Sequence, residues 1–159
     1  FIERCKKSGV DGLIIVDLPP EEDEELYIEA ENKKLSCIRL VTPTTHNTRL
    51  AKILSDATGF VYYVSITGIT GTQAPETDDV SNNIKNIKSF TDLPIVVGFG
   101  IRSPNQALSM AQISDGVVIG SAVVDLIKES LDKNGKKTEI TVNSCLDFID
   151  KISKEIKHN

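Results

Sequence analysis

Two glycine turns, about one structural unit apart, are the residues best suited to hold an anion. Gly98-Phe99-Gly100 follows the apolar run 94–97, and Gly120-Ser121 follows the run 116–119. Glycine lets backbone N–H groups come close to a ligand, and a helix start beyond the turn adds the positive end of a dipole. Such turns grip a phosphate without a lysine or arginine. A single Gly-Phe-Gly would mark no more than a tight turn. The Gly-Ser at the next run is what points to phosphate. A third stretch, Ser65-Ile66-Thr67-Gly68-Ile69-Thr70-Gly71, opens the longest interval without a periodic pattern, 66–77. Its glycines permit bending, and the hydroxyls of Thr67 and Thr70 could bond a phosphate or a carboxylate once the segment closes, which is the chemistry of a lid.

The remaining candidates divide less cleanly. Asp17 ends an apolar run just before a helical pattern, so it suits an acid or base and equally a carboxylate that caps local amides. Glu21 and Glu22 are expected in the first turn of that helix, where the dipole favours them, with no catalytic part. Tyr62 and Tyr63 alternate along a strand, so only one can face a site. Tyr62 shares its face with Phe60, and either could simply fill an interior. His46, near a helix start, reads as a solvated surface residue.

The elements that must position these residues follow from hydrophobic pattern. Five short runs, 12–16, 37–41, 60–64, 94–97 and 116–119, are nearly continuous rather than alternating, as expected for parallel strands covered on both faces. Parallel pairing needs crossovers, and helical patterns at 21–33, 47–57, 78–89, 104–113 and 123–131 supply them. Ser103, Pro104 and Gln106 combine an N-cap, a proline at the first helical position and a glutamine that can reach back to a free amide. The segment 11–16 resembles 115–120, 104 residues later, or four units averaging 26. A last helix over 141–157 carries Val142, Cys145, Leu146, Ile149, Ile152 and Ile156 on one stripe, which is expected to face a core. In parallel β/α folds the ligand lies at the carboxyl ends of the strands, where Asp17, Thr42, Ser65, Gly98 and Gly120-Ser121 stand.

Composition narrows the function. A net charge of −5, without a basic cluster interleaved with aromatics, gives no footprint for nucleic acid or an anionic membrane. Cys5, Cys37 and Cys145 are odd in number and far apart, which fits reduced thiols inside a cell rather than a disulfide framework. His46 and His158 are too few for a histidine-rich metal site, so no metal is expected. No apolar run approaches the ~18 residues of a membrane span. The chain has 159 residues, whereas an eight-stranded β/α barrel takes roughly 250.

Segments 9–22, 59–65, 67–71, 97–101 and 119–122, in this order and spacing, closely resemble the tryptophan synthase alpha chain family, and the likeness covers nearly all of the sequence. The resemblance implies an α/β fold of the (β/α)8 TIM-barrel type. The chain would supply an incomplete C-terminal portion with five parallel strands, the fourth to eighth, as one partial domain over 1–159 lacking the N-terminal β/α units. It implies a carbon–carbon lyase of tryptophan biosynthesis that cleaves indole-3-glycerol phosphate to indole and glyceraldehyde 3-phosphate by a retro-aldol step. Gly98, Phe99, Gly100, Gly120 and Ser121 would hold the phosphate, Tyr62 would line the indole pocket, and Thr70 and Gly71 would belong to the closing lid, with Thr70 positioning a catalytic aspartate. The catalytic Glu and Asp are expected upstream, so this fragment alone is expected to be inactive. No cofactor is implied here. Pyridoxal phosphate belongs to a beta-chain partner in an alpha2-beta2 complex, and the compartment is expected to be the cytoplasm or a plastid stroma. Ile66 departs from the family's usual arginine. The competing readings are a non-catalytic, truncated phosphate-binding barrel subunit and another phosphate barrel such as indole-glycerol-phosphate synthase.

Overall fold

The computed structural model describes residues 1–65, 77–98 and 100–157. Five parallel strands form one sheet in the order β1-β2-β3-β4-β5: β1 Gly12–Ile14, β2 Ser36–Val41, β3 Val61–Val64, β4 Ile95–Gly98 and β5 Gly116–Val118. The helices are α1 Ile2–Lys7, α2 Glu24–Asn32, α3 Asn47–Ser55, α4 Thr77–Lys88, α5 Pro104–Ala111, α6 Ser121–Ser130 and α7 Ile140–Lys157. Each strand is an apolar, β-branched run, and a helix follows each one, which is the only short way to bring the next strand in parallel. Every strand therefore ends at the same edge of the sheet.

The main core lies between the sheet and its helices. Val41, Val61, Tyr63, Ile95 and Val97 point to this side and meet Leu50 and Ile53 of α3, Val80, Ile84 and Ile87 of α4, and Ala107 and Met110 of α5. A smaller cluster, Ile2, Ala30, Leu35 and Cys37, joins α1 and α2 to β2. Burial pushes the Tyr63 hydroxyl up to about 12, with Asp79 adding to the effect, so this phenol is neutral throughout the ordinary range.

Four expectations are corrected. β1 stops at Ile14, and Ile15 and Val16 lie outside the ladder, exposed; their apolar character had extended the run. Asp17 thus stands on a loop, three residues past the strand. α2 begins at Glu24, so Glu21 and Glu22 are not in its first turn. Glu21 instead pairs with Arg49 and with Lys52, whose Nζ is 2.9 Å away, and these two cations hold its carboxyl down to about 2. α6 starts at Ser121 rather than Val123, with Gly120 as its N-cap. On α7 only part of the expected stripe is covered. Ile152 is buried and Phe148 and Ile156 pack on the core, whereas Val142, Leu146 and Ile149 stay 45–61% exposed. The helix packs chiefly against α5 and α6.

One buried charge interrupts the helix side. Arg39 sits in the middle of β2 and its Nη1 lies 2.5 Å from Asp23 Oδ2, both side chains at least nine-tenths buried. Asp23 Oδ2 and Arg39 Nε and Nη2 have no hydrogen-bond partner among the described residues. Two ion-paired residues, Glu21 and Asp23, thus tether the β1–α2 loop to α3 and β2.

Candidate functional site

The residues singled out for chemistry collect at the carboxyl edge, around β3, β4 and β5. Strands β3 and β4 pair Tyr62 with Val96 and Val64 with Gly98, and β4 and β5 pair Gly98 with Val118. The Gly98–Gly100 and Gly120–Ser121 turns therefore leave from adjacent strand tips, on the same edge of the sheet. Phe99, Thr70 and Gly71 lie outside the described residues, as does the whole 66–76 segment read as a lid.

Tyr62 and Tyr63 do face opposite sides. Tyr63 is sealed in the core at 1% exposure. Tyr62 lies on the face turned away from the helices and reaches along it to Gly98. A Cβ on Gly98 would stand 2.1 Å from the Tyr62 hydroxyl oxygen and 2.5 Å from Cζ. No side chain larger than hydrogen fits there while the ring holds its place. The glycine thus serves first to seat the phenol against the strand end, and the burial that results raises the Tyr62 hydroxyl above its ordinary pKa, leaving it a neutral hydrogen-bonding group. Phe60, its expected partner on that face, lies just before β3 and is half-buried.

The turns differ in what holds them. Gly100 has φ +84°, a left-handed conformation that other residues adopt only at a cost. At its root, the Gly98 carbonyl accepts from both the backbone N–H of Ser65, at 3.1 Å, and the Ser65 hydroxyl, at 3.0 Å. This pair of hydrogen bonds from a buried serine fastens the tips of β3 and β4 together. On the far side, Ser103 Oγ accepts from the Gln106 N–H at 3.3 Å, while Gln106 Oε1 accepts from the Arg102 N–H at 2.8 Å. The cap forms as its residue types imply, though the glutamine reaches Arg102 rather than the N-cap residue. Gly120 is less constrained, since a Cβ there would meet nothing within 4 Å. Its carbonyl accepts from Val123 and Val124, so α6 begins directly and its first amides are left facing outward from the tip.

Other candidates stand apart. Asp17, exposed, lines a cleft of about 250 Å³ between the β1–α2 loop and β2, together with Pro19, Arg39 and Arg49. His46 is exposed at the N-cap of α3 and makes no side-chain cap bond. Thr42, at the tip of β2, is engaged with Thr44 and Thr45 through hydroxyl contacts of 2.9 and 3.2 Å. Among the described residues no group of three or more His, Cys, Asp or Glu is arranged to hold a metal ion, and no helix is long and apolar enough to cross a membrane. Sequence patterns passed over the Ser65 clamp on Gly98 and the Asp23–Arg39 pair. The signal for the second was a charge in the middle of an apolar strand.

The family model of the tryptophan synthase alpha chain matches residues 1–154. The chain belongs to the tryptophan synthase alpha family. Solved structures agree. Tryptophan synthase subunit alpha from Legionella pneumophila str. Paris is 30% identical with a TM-score of 0.84, covering 99% of this chain and 56% of its own. The Campylobacter jejuni alpha subunit is 33% identical with a TM-score of 0.80, over 96% of this chain and 57% of its own. A structure of tryptophan synthase from M. tuberculosis in its aminoacrylate-bound form is 28% identical with a TM-score of 0.80, over 98% of this chain and 54% of that one. The chain therefore spans a little over half the length of these relatives, and its five strands are part of a TIM barrel.

Proposed function

We propose that this alpha-family chain supplies the phosphate and indole side of a site that cleaves indole-3-glycerol phosphate to indole and glyceraldehyde 3-phosphate. The observation that carries the reading is the placement of two glycine turns on adjacent strand tips with the Tyr62 ring beside one of them. A phosphate between the tips would meet the amides of Gly100, Gly120 and Ser121, and the Ser121 hydroxyl, at the start of α6, where the dipole favours negative charge. Phe99, Thr70 and Gly71 complete the proposed contacts. With the phosphate there, the Tyr62 ring forms one wall for the indole.

The chemistry then needs two further groups. Breaking the bond between indole C3 and the glycerol carbon requires a proton delivered to C3, while a base takes the proton of the adjacent hydroxyl as it becomes the aldehyde. A glutamate and an aspartate outside this chain fill those roles in the proposed reaction, which needs no cofactor of its own. A beta chain carrying pyridoxal phosphate would consume the indole in an alpha2-beta2 assembly.

The test is indole release from indole-3-glycerol phosphate by the 159-residue chain, alone and combined with the complementary β/α units of a relative, each with and without a beta chain. Indole is expected only from the combined barrel. No indole in any combination would remove the lyase reading in favour of a binding role, and indole from the chain alone would place the catalytic carboxylates within it.

A further inference from the structure

A phosphate shared by two turns is held firmly only if the gap between the turns is fixed. Backbone pairing fixes it as far as Gly98 and Val118, where the β4–β5 ladder ends. Beyond that point the turns depart toward different helices. Arg102 stands two residues past Gly100, with its own N–H anchored on Gln106 Oε1 at the start of α5. Its guanidinium Nη1 reaches across to Asp125 Oδ2 at 2.9 Å, on the second turn of the helix that Gly120 and Ser121 open. The ion pair thus runs from the end of one turn to the body that carries the other.

We propose that Arg102 and Asp125 are positioning residues that set the width of the phosphate cradle, an inference that rests on the reading that both turns hold one phosphate. Both side chains are largely exposed, at 60% and 45%, so the pair adds little to the stability of the fold. Its effect on a ligand is larger in proportion, because small misplacements of gripping groups cost binding directly. Ser65 braces the same turn from the β3 side, so between them the two contacts hold both flanks of the 98–102 segment.

A competing account makes Arg102 a plain cation that draws the phosphate in. The two differ over Asp125. A brace loses its far anchor when Asp125 is removed and phosphate binding weakens, whereas an attracting cation is freed from its partner and binding tightens.

The experiment is calorimetric titration of the 159-residue chain with inorganic phosphate, using Arg102→Ala, Asp125→Ala and the exchanged pair Arg102→Asp with Asp125→Arg, alongside thermal unfolding of each. Each single change is expected to weaken the phosphate Kd by about three- to fivefold with little movement of the unfolding midpoint, and the exchange to recover most of the loss. Tighter binding by Asp125→Ala, or an exchanged pair no better than the singles, would overturn the brace. If the unmodified chain binds phosphate and the single variants bind it equally well, the brace alone fails. If the unmodified chain binds none, the shared cradle fails and the brace falls with it.

Discussion

The two faces of the sheet carry the same kind of apolar strand residue to different ends. Toward the helices, Val41, Val61, Tyr63, Ile95 and Val97 are each at 1% exposure or less and interlock with three helices. On the opposite face, Leu40, Tyr62, Val64 and Val96 lie side by side across the strands and are only half-buried. The adjacent tyrosines show the contrast most directly. Tyr63 is packed from all sides, while Tyr62 rests along the sheet surface with its hydroxyl over a glycine. One face is completed within the described residues and stabilises the fold. The other carries the close approach of the Tyr62 ring to Gly98 and presents it to the site.

The contrast breaks most visibly if Tyr63 is not what holds the helix side. Tyr63→Ala should cost about 3–5 kcal/mol in urea unfolding, as for other large buried aromatics cut to alanine, while Tyr62→Ala should cost clearly less. Equal losses would erase the distinction between the faces. The polar exception on the helix side gives a second test of similar size. Arg39→Ala leaves the Asp23 carboxylate buried without its cation and should cost about 3–5 kcal/mol, whereas Arg39→Met with Asp23→Leu should recover most of that loss. A double variant as weak as the single would show that the pair itself stabilises the loop.

On the site face the expected effects are smaller and more specific. Gly98→Ala forces its new methyl into the Tyr62 ring and should cost about 1–3 kcal/mol, as overpacking usually does. Combining it with Tyr62→Val should restore the unfolding midpoint. Persistence of the loss in the double variant would mean that something other than the ring occupies that space. The smallest effect concerns Glu21. Its folded pKa of about 2 lies below the ordinary 4.5, so its contribution to stability is present above pH 4.5 and fades as pH falls toward 2. The difference in unfolding midpoint between the unmodified chain and Glu21→Gln should shrink across that window. A difference that stays constant from pH 6 to 2 would dissociate the shift from folding.

These contrasts also explain which features were legible in the residues alone. Strand and helix order was readable because it depends on local apolar runs and crossovers, and the Ser103-Pro104-Gln106 start was readable because caps are local. β1 was read two residues too long, since Ile15 and Val16 look like strand yet lie past the last pairing with β2. Arg39 was absorbed into an apolar run because its partner, Asp23, is brought to it only by the fold. The cradle turns were legible as glycines at strand ends. Which neighbour makes a glycine necessary was not, and at Gly98 that neighbour is the Tyr62 ring, placed by a register no single segment encodes.

Among the described residues the sheet order leaves β1 and β5 each with one neighbour. Both strands run in the same direction, so the β5 side of one molecule can pair in parallel with the β1 side of the next. Repeated, that head-to-tail contact adds copies one after another. Concentrated solutions of the isolated chain should therefore scatter light increasingly with time, and a complementary β/α segment that caps either margin should act as a chain terminator.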